Sequence, residues 1–186
     1  MLAFVSSLFF IFIAEMGDKT QLVALSFATK HKALKVITGI FIATILVHLL
    51  SVVIGEQTSA FIPMQYLKVL IGLSFIGFGI WTLRGDTYEE GEEKKRRFGP
   101  VMTVGVAFFL AELGDKTQLA TISLAAQYHS FIPVWLGSTF GMVIADGLAI
   151  IVGVLAGKKL PEKLIQYISA VIFIVFGIVT TFEAIV

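Results

Sequence analysis

Two seven-residue segments hold most of the reactive side chains in this sequence, EMGDKTQ at 15–21 and ELGDKTQ at 112–118. Each supplies two carboxylates, Glu15 with Asp18 and Glu112 with Asp115, and Thr20, Gln21, Thr117 and Gln118 add neutral oxygen donors beside them. On a continuous helix the i,i+3 spacing puts both acids of a copy on one face, with the glutamine one step further along it. Lys19 and Lys116 then stand at i+4 from Glu15 and Glu112, in the favourable acid-before-base order. Gly17 and Gly114 remove the side chain between the acids, allowing either close helix approach or a local break that frees carbonyl oxygens. Oxygen-rich sets of this kind suit hard divalent cations such as Ca²⁺, Mn²⁺ or Mg²⁺. With no cysteine and three histidines, disulfides and thiolate sites are excluded, and little remains for a zinc or copper cage.

The elements that position these groups follow from composition. Of 186 residues, 57% are hydrophobic and 15% charged, against roughly 25% charged in a soluble domain, and the mean hydropathy is +0.93. A soluble domain of this length cannot bury so much apolar surface, whereas six spans of about 20 residues use up the chain. Six apolar stretches are present, at about 2–28, 33–54, 64–83, 101–126, 131–156 and 164–184. They are too long for strands, and runs such as LFFIFIA do not alternate as a β-barrel requires. The expected fold is an all-α integral membrane protein with six transmembrane helices in a lipid bilayer. A net charge of +1 excludes a nucleic-acid polyelectrolyte binder.

The basic residues set the orientation. Lys30, Lys32 and Lys35 follow span one, Arg84, Lys94, Lys95, Arg96 and Arg97 lie between spans three and four, and Lys158, Lys159 and Lys163 follow span five. The opposite side has only Lys68. The positive-inside rule makes the crowded side cytoplasmic and puts both termini outside, in a cell (inner) membrane. No basic residue precedes Lys19, which argues against a cleaved signal peptide. The charged linker 85–99 reads as a solvated cytoplasmic connection whose basic end anchors span four, with a regulatory role as the alternative.

The chain is internally duplicated. At an offset of 97, residues 9–29 match 106–126 at 11 of 21 positions, and with one residue inserted the register continues through Gly39/Gly137, Gly55/Gly153, Phe75/Phe173 and Gly79/Gly177. Three spans per copy mean that the second copy enters the membrane from the opposite face. The expectation is a 3+3 inverted-topology repeat, 1–84 and 100–186, with equivalent residues meeting near the midplane.

An ionised group at the centre of a membrane helix costs about 2.5–3.5 kcal/mol on insertion scales, so four midplane carboxylates without a use would burden a small bundle. Four carboxylates less two lysines leave −2, which one divalent ion or two protons would neutralise. Metal and protons should therefore compete, which is the physical basis of a cation/proton antiporter. The plainer alternative is that acids and lysines form salt bridges tying the halves together. Two pairs would still leave two acids uncompensated.

Both motifs resemble those of a family of membrane cation exporters carrying two Glu-x-Gly-Asp-(Lys/Arg)-(Ser/Thr) segments, which includes Golgi manganese and calcium transporters of eukaryotes and bacterial manganese exporters. The resemblance implies a secondary transporter exporting Mn²⁺ or Ca²⁺ in exchange for protons, with Glu15, Asp18, Glu112 and Asp115 as the ion site and no cofactor or enzymatic activity. Rival functions are a passive divalent-cation channel and a basic amino-acid exporter of related fold. An intramembrane aspartyl protease fits poorly, since Glu15 and Glu112 stand where the usual Gly-x-Gly-Asp signature has its first glycine.

His48 in span two aligns with Asp146 in span five. Each is a candidate proton relay or gate, against the alternative of a satisfied core histidine and an aspartate bonded to backbone or serine. Gly137, Gly141, Gly153, Gly157 and the GLSFIGFG stretch are expected to pack helices within one chain, with no oligomer required.

Overall fold

The computed structural model describes residues 1–84, 99–156 and 162–185. The linker 85–98, Gly157 and Pro161 lie outside the described residues, as does the side chain of Lys19.

All described secondary structure is helical. Eight helices follow one another as α1 (Leu2–Glu15), α2 (Lys19–Lys30), α3 (Ala33–Phe61), α4 (Met64–Arg84), α5 (Pro100–Glu112), α6 (Lys116–Tyr128), α7 (Phe131–Ala156) and α8 (Glu162–Ile185). Four stretches, Ala33–Phe61, Gln65–Leu83, Phe131–Gly153 and Tyr167–Ile185, are long and apolar enough to cross a membrane, while Leu2–Glu15 and Pro100–Glu112 are shorter apolar helices. Fourteen helical residues rise only about 21 Å, short of a hydrocarbon core of about 30 Å.

Two sequence expectations change here. The first and fourth apolar stretches are not continuous helices, because each breaks inside its motif. The second runs on to Phe61, several residues past the apolar run, because Gly55 does not stop it. Gly55 instead lets α3 approach α6, where an added Cβ would meet the Ile122 carbonyl and sit 2.7 Å from the Ala125 Cβ.

Packing is reciprocal between the copies. Helix α1 lies on α7 and its counterpart α5 lies on α3. A Cβ on Gly137 would strike Phe4 and Ser7 of α1, and one on Gly39 would strike Val101 and Val104 of α5, the residues 97 further on. Gly55 faces Ile122, and Gly153 faces Leu25. Helices α4 and α8 pack on each other through Gly72, Gly79 and Gly177, and Gly72 and Gly177 each approach the other's carbonyl. These small residues let backbones come close where no hydrophobic force drives helices together. Gly141 does the same for α7 on α1, with the Leu8 carbonyl 2.5 Å from an added Cβ.

Polarity is distributed inside out relative to a soluble domain. Large apolar residues such as Leu50, Ile151, Val171 and Phe182 face outward, while Glu15, Asp18, Glu112, Asp115, Lys116 and Asp146 are buried. Lipid-facing hydrocarbon and inward-facing ionisable groups are what a bilayer demands.

Candidate ion site

Each motif forms a break between two short helices. Helix α1 ends at Glu15 and α2 begins at Lys19; α5 ends at Glu112 and α6 begins at Lys116. The chain turns at Gly17 with φ 77° and at Gly114 with φ 82°, a left-handed conformation that an L side chain adopts only at a cost. A Cβ on Gly114 would meet nothing within 4 Å, so of the two expected roles for this glycine the break applies and close approach does not. The i,i+3 arrangement of the acids on one helical face is thereby overturned: Glu15 closes one helix, Asp18 precedes the next, and the same holds for Glu112 and Asp115. The i,i+4 step from Glu112 to Lys116 crosses the break as well.

The glutamines hold the break open. Gly17 donates its backbone N–H to Gln21 Oε1 at 2.9 Å, and Gly114 donates to Gln118 Oε1 at 2.6 Å. Gln21 and Gln118 stand at the third position of their helices and reach back past the helix start, as capping-box side chains do. Their carbonyl oxygens are therefore engaged with backbone. Gln21 Nε2 further donates to the Ala145 carbonyl of α7 at 3.1 Å, tying the first break to the residue before Asp146.

The threonines reach across the break to the glutamates. Thr20 donates its hydroxyl to Glu15, and Thr117 donates to Glu112 Oε2 at 2.6 Å. In each pair the other carboxylate oxygen, Glu15 Oε2 and Glu112 Oε1, is buried without a hydrogen-bond partner in the protein. Between the copies, Lys116 Nζ lies 2.9 Å from Asp18 Oδ2, with both side chains sealed from solvent. Asp115 sits at the N-cap of α6 but its side chain does not cap that helix.

The acids of the two motifs share one electrostatic environment. Glu15 interacts with Asp18, Glu112 and Asp146, and Glu112 with Asp115, Asp18 and Asp146. Asp146 also lies beside Asp18. By hydrogen-bond geometry neither carboxylate oxygen of Asp146 and neither ring nitrogen of His48 has a partner. No backbone or serine partner is seen for Asp146, and no protein partner for His48. Asp146 joins the acidic cluster, whereas His48 is buried within α3. Ser7 and Ser138 are buried hydroxyls without a hydrogen-bond partner, for which the sequence offers no signal beyond a serine in an apolar run.

Among the described residues no three acidic or histidine side chains gather closely enough to hold a metal ion as they stand. The carboxylates are near one another but bonded to Thr20, Thr117 and Lys116. A cavity of about 570 Å³ opens elsewhere, between α3 and α5, lined by residues such as Ile42, Val106 and Phe109; no motif residue borders it.

The family model of the divalent cation/proton antiporter GDT1 matches residues 3–90 and 100–186, with both motifs inside the matched ranges. The chain belongs to the GDT1 divalent cation/proton antiporter family. Members are transporters rather than enzymes, and as a GDT1 chain with long apolar helices this is a multi-pass membrane protein whose substrate is a divalent cation. A Vibrio cholerae relative named "Putative manganese exporter" is 37% identical over 91% of this chain and 86% of its own length. GDT1-like protein 5 of Arabidopsis thaliana is 28% identical, covering 94% of this chain and 93% of its own. A GDT1-like protein of Synechocystis is 29% identical over 96% of both. No solved structure matches the chain.

Proposed function

We propose that this GDT1 chain exports Mn²⁺, with Ca²⁺ as a second cargo, from the cytoplasm across the cell (inner) membrane in exchange for protons. Glu15, Asp18, Glu112 and Asp115 bind the ion near the midplane. The observation that carries this is convergence: the buried acids of two motifs 97 residues apart lie within electrostatic range of one another, and Asp18 is paired to a lysine of the other copy. Manganese as cargo is supported by the name of the Vibrio cholerae relative.

The proposed architecture is two inverted three-helix halves, 1–84 and 100–186, joined by the cytoplasmic linker 85–99. Each broken pair, α1 with α2 and α5 with α6, counts as one span, giving six. Reciprocal packing of α1 on α7 and α5 on α3 supports the two-fold relation. So does the contact of Ser59 Oγ with His129 Nδ1 at 3.1 Å, because an inverted arrangement puts the end of α3 and the end of α6 on the same, outer side. Rocking one half against the other then exposes the site to either face.

Within this scheme the threonine hydroxyls hold the glutamates until an ion claims them, and the breaks leave main-chain carbonyls near the site as further hard ligands. Asp146 adds a carboxylate beside the first motif, and His48 is its counterpart in the other copy. Both are placed to relay protons or gate the path. Metal binds the ionised carboxylates, so protons displace it.

The test is uptake of Mn²⁺, Ca²⁺ and Mg²⁺ into proteoliposomes under an imposed pH gradient, for wild type, Glu15→Gln and Glu112→Gln. Uphill uptake of Mn²⁺ lost in both variants is expected. Flux that a pH gradient cannot drive uphill would identify a passive channel, and inhibition by lysine or arginine would identify a basic amino-acid exporter.

A further inference from the structure

The ion pair between Lys116 and Asp18 is misplaced for a purely structural tie. Lys116 is the first residue of α6, where the partial positive charge of the helix N-terminus disfavours a cation. It is 3% exposed, and an ammonium so deeply buried is tolerated only against a carboxylate. Buried ion pairs contribute little net stability over an apolar pair of the same volume, and the halves are already joined by glycine-mediated packing along α1/α7, α3/α5 and α4/α8. The pair also occupies a motif acid: at 2.9 Å the ammonium covers the Asp18 oxygen that a divalent ion would need at about 2.0–2.6 Å. Two cations cannot share that oxygen at those distances without strong repulsion.

We infer that Lys116 is a tethered counter-cation that alternates with the transported ion at Asp18. When the ion leaves, the ammonium closes on Asp18 and neutralises it; when an ion arrives, the flexible four-carbon stem swings the ammonium aside. Asp18 is thereby neutralised in the metal-free protein without a proton of its own, leaving the other motif acids to take up the protons of the return, and it is not left open for ions to slip back. Because the bond runs from the break before α6 to the break after α1, its making and breaking is felt in both halves. Lys116 is on this account a positioning residue, charged throughout, that never binds cargo. The inference rests on the antiport reading above and adds a competitor for the ion that is part of the chain.

The experiment uses wild type, Lys116→Gln and Lys116→Arg in proteoliposomes, measuring net Mn²⁺ uptake under a pH gradient and isotopic Mn²⁺/Mn²⁺ exchange at equal pH on both sides. Exchange needs only the metal-loaded protein to reorient, whereas net uptake also needs the return of the metal-free, protonated protein. Lys116→Gln is expected to keep exchange, with a several-fold lower half-saturating Mn²⁺ concentration, while net uptake falls by an order of magnitude. Lys116→Arg grips Asp18 with two parallel N–H bonds and should raise the half-saturating concentration in both modes. Equal loss of exchange and net uptake in Lys116→Gln, or an unchanged half-saturation in both variants, would overturn the inference. Wild type that shows no gradient-driven uptake would overturn the antiport reading instead.

Discussion

Phe75 and Phe173, at equivalent positions in the two copies, meet each other ring to ring with centroids 5.7 Å apart and no exposure to solvent. Thr44 and Met142, again 98 residues apart, also touch, the hydroxyl 3.6 Å from the sulfur. A residue contacts its own counterpart only where a two-fold relation passes between them. Both pairs therefore sit at the seam between the two copies, on which the proposed rocking would turn.

Truncating the seam should be costly and non-additive. Phe75→Ala and Phe173→Ala are each expected to destabilise the chain by about 3–5 kcal/mol. The double variant should lose less than the sum, since each single change already empties part of one shared ring cluster. Thermal unfolding in detergent measures all three.

The breaks should tolerate asparagine better than alanine. At Gly114 an added Cβ has room, so the cost of Gly114→Ala comes from φ 82° alone, about 1–2 kcal/mol. Gly114→Asn should cost less, because asparagine visits the left-handed region more readily. Transport should follow the same order, and a Gly114→Ala variant as active as wild type would remove the need for the break.

Gln21→Ala should lower stability by about 1–3 kcal/mol, because it leaves the Gly17 N–H without its acceptor and removes the tie to the Ala145 carbonyl of α7. Gln21→Glu keeps the acceptor for Gly17 but loses the donor to Ala145, and should retain part of the loss. Thermal shift of the two variants beside wild type separates the contributions.

Asp146→Asn should weaken Mn²⁺ half-saturation several-fold while leaving folding intact, because it removes one charge from the shared acidic environment and keeps the shape of the side chain. In wild type, lowering pH equally on both sides should raise the Mn²⁺ concentration needed for half-maximal exchange, as metal and proton compete for the same oxygens. Exchange measured across a pH series decides both.

Absence of cysteine makes the proposed orientation easy to read. Lys32 and Gln57 are exposed at opposite ends of α3, and the inverted scheme puts Lys32 inside and Gln57 outside. A single cysteine at 57 should react with a membrane-impermeant maleimide in intact cells, and one at 32 only after permeabilisation. The reverse pattern would invert the direction of export.

Much was legible in the sequence because it is written in composition and register. The excess of Leu, Ile, Val and Phe dictates a membrane, since no folded water-soluble chain of this length could bury them, and the paired EMGDKTQ and ELGDKTQ segments name the acids and the duplication without reference to any contact. The helix limits also follow the offset, α1 with α5 and α3 with α7. Tertiary structure decided what spacing could not. The i,i+3 pattern presumes an unbroken helix, and whether glycine bends a backbone or admits a neighbour depends on what packs around it; the φ values of Gly17 and Gly114 settle that in favour of a break. Which lysine faces which acid is likewise a matter of packing, because Lys116 is four residues from Glu112 in sequence yet pairs with Asp18 of the other copy. Asp146 joins the motif acids only because α7 lies against α1 and α2. Periodicity along one strand of chain carries no information about distances between segments 97 residues apart, and those distances assemble the candidate site.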